Sequence, residues 1–371
     1  MLSTTTRRGF LATSAAAAAI PATAMAANVP PGLAQHAKAS GILYGTAAAN
    51  YQLIDTAFAP ALKREAAILV PEYEMKRDKI EATRGKLDFS AVDRLLGYAS
   101  ANGMKMRGHP LVWHKANPGW LEEAVLSTRD DRLLTAYIAV VMQHYRGKLH
   151  SIDVVNEALV TSSSRPDGLR ETFWLTAFGP SYIDQAYHAA HVTDPGATLV
   201  YNDWGCEMAG ADNDRMRALT LDFLERALAR KVPIHAYGMQ AHLAAFDQPV
   251  DQRKLRTFLD ALKAMGLKLI VTELDVYDLR ETTNAATIDR AVADATTRFL
   301  DVALGYTDTV LTWGLSDKFL EQPTWRQRLR GYTPRMLPLD STMQRKAMWR
   351  AMASTFDRAG ASSALRGGQR P

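Results

Sequence analysis

The chain has 371 residues, 47% hydrophobic and 22% charged, with 44 basic and 39 acidic side chains and a formal charge of +5. This mix excludes a disordered chain, a collagen-like fibre and a polytopic membrane protein, and no dense Lys/Arg block marks a nucleic-acid partner. The single cysteine, Cys206, can form neither an intramolecular disulfide nor a zinc site by itself. Residues 1–26 read as a twin-arginine-type export signal. Arg7-Arg8-Gly9-Phe10-Leu11 leads into an alanine-rich run to Ile20, and Ala24-Met25-Ala26 supplies the small-residue cleavage pattern. The alternative is a chance amphipathic helix, but three signal features occur in order. The apolar run is too short and too poor in large side chains to span a bilayer. Losing Arg7 and Arg8 lowers the charge from +5 to +3. The mature chain is expected to be periplasmic or secreted, with no membrane or nucleic-acid partner.

Eight short apolar runs follow: Ile42–Thr46, Ala67–Pro71, Met104–Gly108, Ser151–Val155, Thr198–Asn202, Ala236–Ala241, Lys268–Thr272 and Thr309–Gly314. Most are continuous rather than alternating, which suits strands covered on both faces. Helical spacing separates several of them. Leu133, Ala136, Tyr137, Val140, Val141 and His144 form one apolar stripe, and Leu219, Phe223, Leu224, Ala227 and Leu228 another. Phe258, Leu259, Leu262 and Met265 form a third, closed by Gly266. Strand-then-helix units imply parallel pairing, and eight of them predict a single (β/α)8 TIM barrel over residues 27–356. A doubly wound open sheet is the other α/β option, but no G-x-G-x-x-G follows an early strand. Residues 357–371 are small and polar and are expected to fray.

In such a barrel the chemistry sits where the strands end. The residues following the runs are Glu72-Tyr73-Glu74-Met75-Lys76; His109, Trp113 and His114; Asn156-Glu157; Tyr201-Asn202-Asp203-Trp204; Gln240 to His242; Glu273 and Asp275; and Trp313 with Asp317. Any one has a bland reading as a helix cap, a solvated side chain or a core aromatic; the cluster is harder to produce by chance. Glu157 and Glu273 each end a β-branched run, so rigid strands would hold them. Glycosidic bond cleavage needs two facing carboxyl groups, one protonated for the leaving oxygen and one ionised for the anomeric carbon or a water. Burial and neighbouring charge can separate their pKa values. The histidines lie at different strand ends without H-x-x-x-H spacing, so no metal or cofactor is implied.

Gly108-His109 through Trp113-His114, Asp153-Val154-Val155-Asn156-Glu157-Ala158, Gly238-Met239-Gln240-Ala241-His242, Thr272-Glu273-Leu274-Asp275 and Trp313-Gly314-Leu315-Ser316-Asp317 together resemble glycoside hydrolase family 10, the endo-β-1,4-xylanases. The resemblance implies a retaining double displacement on internal bonds of xylan, by a chain expected to act as a monomer. It implies Glu157 as general acid/base and Glu273 as nucleophile. Asn156 would bind the 2-hydroxyl of the sugar at the cleavage point, and His242, oriented by Asp275, would hydrogen-bond Glu273. Glu72, Lys76, His109, Trp113 and Gln240 would line the sugar site and Trp313 its floor. Sugar C–H faces stack on indole while hydroxyls take polar partners.

Four positions depart from the family pattern. Tyr73 replaces an Asn, Arg77 a Trp and Ala116 a Gln, and a second Trp is missing near Leu320 or Glu321; Trp325 lies nearby, but its spacing does not mark it as the replacement. The expectation is intact catalytic chemistry with altered outer sugar contacts, as in a related β-glycanase acting on a decorated or exopolysaccharide glycan. A non-catalytic glycan-binding barrel is the second alternative, and a polyanion binder, motivated only by the pI of about 9.2, the third.

Overall fold

The computed structural model describes Met1 and residues 30–278, 284–320 and 334–365, with side chains in the last helix described to Ala361. Most of the expected export signal, Glu321 and Trp325 lie outside the described residues.

Nine strands are present among the described residues: β1 (Leu43–Ala48), β2 (Ile68–Pro71), β3 (Lys105–Met106), β4 (Ile152–Asn156), β5 (Leu199–Asp203), β6 (Ala236–Met239), β7 (His242–Ala244), β8 (Lys268–Tyr277) and β9 (Thr307–Thr312). The main sheet runs β3-β2-β1-β9-β8-β6-β5-β4, with every neighbour parallel. The chain beyond β3 joins its two ends. Gly108 N donates to Ser151 O at 2.8 Å, Leu111 N to Asp153 O at 2.9 Å and Val112 N to Val154 O at 3.0 Å. Those bonds close the (β/α)8 barrel, and closure removes the exposed strand edges. All eight expected strands form, with ends displaced by at most two residues except for β8, which extends to Tyr277. β7 is an addition: it pairs with the far half of β8 through His242 opposite Asp275.

Inside the barrel, Ala47, Ile68, Val70, Val200, Ala236, Ile270 and Leu311 form an apolar cluster drawn from six strands. It takes nothing from β3 or β4. There Arg107 and Asp153, both fully buried, form an ion pair instead. Gly45 lets β1 approach β2: a Cβ there would lie 1.8 Å from Ile68 O.

The helices cover the outside. In Arg132–His144 the buried stripe is Leu134, Tyr137, Ile138, Val141 and Met142. This corrects the expected stripe, because Val140 is 42% exposed. Val140 and Val141 are adjacent and lie 100° apart on a helix, so an apolar pair cannot by itself say which member faces the core. The other two stripes are largely as expected, and the helix Gln252–Ala264 ends at Gly266, whose φ is +80°.

The tail expectation is also corrected. Helix Ala347–Leu365 continues through Asp357, which pairs with His36 at 2.8 Å, and Arg358 pairs with Asp301 at 2.8 Å. Alanine and long-range ion pairs make this polar stretch helical. Beneath the helix, fully buried Glu65 accepts from Leu33 N and Trp349 Nε1, both at 2.8 Å. This carboxylate ties the first and last helices together.

Candidate active site

A cleft of about 770 Å³ opens where the strands end. Its lining includes every expected site residue: Glu72, Lys76, His109, Trp113, Asn156, Glu157, Gln240, His242, Glu273, Asp275 and Trp313.

Glu273 lies within β8 and is 4% exposed. Asn202 Nδ2 donates to its Oε1 at 2.7 Å. His242 Nε2 stands 3.5 Å from Oε2, and His109 Nδ1 3.8 Å from Oε1. Burial by itself would raise this carboxyl; the His109 charge, the His242 contact and the Asn202 amide outweigh it and hold it at about 2. Glu273 is therefore an anion at any ordinary pH. His242 is in turn held by Asp275, whose Oδ1 is 2.8 Å from Nδ1. Burial would lower the imidazole, but Asp275 and Glu273 reverse that and hold it well above its usual value.

Glu157 follows β4 with a φ of +55°, a left-handed backbone that few side chains adopt. Glu157 N bonds to Asn202 O at 2.9 Å, which fixes this conformation. Strained backbone at a site held so firmly is a mark of function. A relay of amides links the two carboxylates. Asn202 Nδ2 donates to Glu273 and, at 2.9 Å, to Asn156 Oδ1. Gln240 Nε2 donates to the same Asn156 oxygen at 3.2 Å and reaches Glu157 Oε1 at 3.4 Å. His114 Nε2 lies 4.0 Å from Glu157 Oε2, and burial pushes its imidazole down to about 4, so it stays neutral.

Four contributors beyond the expected set appear. Asn202, within a segment read only as a strand end, joins both carboxylates. Arg107 anchors Asp153, which accepts from His109 Nδ1 at 2.8 Å and so aims that ring toward Glu273. Arg170 donates to Glu157 O at 3.0 Å and Leu159 O at 3.1 Å, pinning the Glu157 turn. Asp203, fully buried, is pushed up to about 8 by burial, and the Tyr201 hydroxyl at 2.5 Å only partly offsets this. It is neutral at pH 7, which spares Glu157 a second negative charge. The legible signal for Arg107 and Asp153 was a charge inside an apolar run. Arg170 and the Asn202 contacts had none.

His109, Asp153 and Glu273 have ligand-type atoms within 4.8 Å of one another. Arg107 on Asp153 and the hydrogen bond from His109 account for this group, and a guanidinium beside the carboxylate opposes a cation there.

The departures occupy distinct places. Tyr73 lines the cleft with its ring 4.8 Å from Lys76 Nζ, which also lies 5.4 Å from the Trp113 ring. Arg77 points elsewhere: it is buried, paired with Glu81 at 2.9 Å, and stacked 4.0 Å over Tyr137. Ala116 has a φ of +51° and offers its carbonyl to Asp78 N at 3.0 Å. Phe58, Phe319, Leu320 and Met336 add apolar lining.

A family model for glycosyl hydrolase family 10 matches residues 32–355. A β-1,4-xylanase from Dictyoglomus thermophilum is 30% identical over 305 residues, covering 78% of this chain and 82% of the relative. Endo-1,4-β-xylanase A from Caldicellulosiruptor sp. (strain Rt8B.4) is 30% identical over 276 residues, or 70% of this chain; the match spans 39% of that relative's length. Among solved structures, xylanase 10B from Thermotoga petrophila, in complex with xylobiose, superposes with a TM-score of 0.76 at 26% identity, covering 90% of this chain and 99% of that one. With the closed barrel and a family match over nearly the whole described chain, this protein belongs to glycosyl hydrolase family 10.

Proposed function

We propose that the chain is a retaining endo-β-1,4-xylanase, exported by a signal in residues 1–26 and active as a monomer on xylan. The observation that carries the reading is Glu273: a buried carboxylate kept ionised by two histidines and an amide, and linked through Asn202, Asn156 and Gln240 to a second carboxylate, Glu157. Glu157, protonated, donates to the glycosidic oxygen as Glu273 attacks the anomeric carbon. The C–O bond breaks, the leaving sugar departs as an alcohol, and a covalent glycosyl-enzyme forms. Glu157, now ionised, takes a proton from water, which displaces Glu273 and restores it with net retention. Asn156, held by two amide donors, binds the 2-hydroxyl in this reading. Trp113 and Trp313 give apolar faces for sugar stacking.

Reducing-sugar release from xylan, with the anomer of the first product read by NMR, tests this. An initial α-anomer or an inert protein would overturn it. A silent glycan-binding barrel is disfavoured, since binding alone gives no use for an ionised carboxylate poised in this way.

Tyr73 against Lys76, with the apolar wall of Phe58, Phe319 and Leu320, favours a second reading on the same chemistry: a decorated or exopolysaccharide β-glycan as preferred substrate. Rates on linear xylan, decorated xylan and a bacterial exopolysaccharide separate the two. Linear xylan as clearly the best substrate would remove the second.

A further inference from the structure

Glu207 is a carboxylate that the reaction does not use. It is 1% exposed and lies in the loop after β5. Its Oε2 accepts from Gly205 N at 2.9 Å, within the loop that presents the half-exposed Trp204 to the cleft. Its Oε1 accepts from Ala241 N at 3.1 Å, across 34 residues of sequence. Ala241 is fully buried and has a φ of +62°. The left-handed region is unfavourable for a residue with a Cβ, so the surroundings must hold it there. The next residue is His242.

We infer that Glu207 is a positioning residue: it holds Ala241 in its left-handed turn and thereby aims His242 at Glu273, while tying the same turn to the Trp204 loop. This rests on the proposed double displacement, in which Glu273 must be an anion. His242 is gripped on its far side by Asp275, at 2.8 Å and through the pairing of β7 with β8. On the chain side it follows the turn at Ala241, whose N–H Glu207 holds. Released, a residue at positive φ relaxes toward negative φ, and that rotation swings the following side chain. Among the described residues, the charged and titratable groups facing His242 are Glu273, Asp275 and Tyr277 on β8, with the Tyr277 ring 6.1 Å away, and Glu207 itself. Glu273 also faces His109, held by Asp153, and Asn202, held by Thr272 and Asn156.

Glu207→Gln tests this. One of the two amides would then meet an NH2 group instead of an oxygen. kcat on a xylo-oligosaccharide is expected to fall by about tenfold or more, since small misplacements near reacting atoms cost up to about a hundredfold. The acidic limb of kcat/KM moves to higher pH, because Glu273 loses part of the hold of His242. Glu207→Gln with Ala241→Gly recovers part of both effects, because glycine accepts positive φ without the anchor. Lower kcat with an unmoved acidic limb, or a double variant no better than the single, would overturn the assignment. If Glu207→Gln does not fold, Glu207→Asp decides on the same limb: it keeps the charge but is too short to span both amides. A wild-type chain inert on every xylan would instead sink the proposed function, a result distinct from an active enzyme indifferent to residue 207.

Discussion

At Glu273, opposing forces of different origin meet. Burial favours the neutral acid; two imidazoles and one amide favour the anion and win, leaving the carboxyl at about 2. Removing a donor therefore has a known sign. In His242→Ala the anion loses a stabilising partner, its pKa rises, and the acidic limb of kcat/KM shifts upward; a pH–rate profile unchanged below pH 6 would contradict the geometry. Glu273→Ala is expected to reduce turnover by several orders of magnitude and to abolish any trapped glycosyl-enzyme in mass spectra. Asp203 works in the other direction. Its folded-state value of about 8 lies above the ordinary 3.8, so the folded chain keeps a proton that the unfolded chain releases above about 4. Its contribution to stability is thus greatest at low pH and declines as pH rises toward 8. Asp203→Asn should flatten the fall of unfolding free energy between pH 5 and pH 8, measured by urea denaturation against wild type. A parallel pair of curves would refute it.

Turns and strands decide whether those residues can act. β6 passes close to Asn202: a Cβ on Gly238 would lie 2.4 Å from Asn202 Oδ1. Asn202 cannot give way freely, because that oxygen accepts from Thr272 Oγ1 at 2.7 Å and its nitrogen serves both Glu273 and Asn156. Gly238→Ala should therefore lower kcat on the order of tenfold or more without altering secondary structure by circular dichroism; full activity would show that the strand moves aside without disturbing the relay. The Gly238-Met239-Gln240-Ala241-His242 motif is legible as a strand ending in polar groups. That it breaks after Met239, turns through a left-handed Ala241 and restarts as β7 is not legible, since alanine carries no mark of positive φ.

For the molecule as a whole, the barrel depends on the two helices at its chain ends. Trp349 is 7% exposed, stacks with Arg345 at 3.8 Å, and donates to Glu65. Trp349→Ala removes a large buried side chain and a donor to a fully buried carboxylate. A loss of about 3–5 kcal/mol is expected, read from denaturant unfolding, with kcat little changed because the cleft is remote. A loss under about 1 kcal/mol would mean that the terminal helix does not brace the barrel.

The class of fold, the eight strands and both catalytic candidates were readable from the linear chain, because each is a local pattern: a β-branched run, then a polar residue that the strand end must expose. Residues 357–365 and the stripe around Val140 were misread for the same reason, since local polarity and an ambiguous apolar pair say nothing of the partners that override them. Only the closed barrel could bring Asn202 between Glu157 and Glu273, seat Arg107 on Asp153, and set Glu207 under Ala241. Those contacts join segments 34 to 71 residues apart, and a spacing of that size carries no periodic signal. The candidate chemistry lies in side chains at strand ends; the ionised state of Glu273 arises from burial and distance, which exist only once the strands have closed.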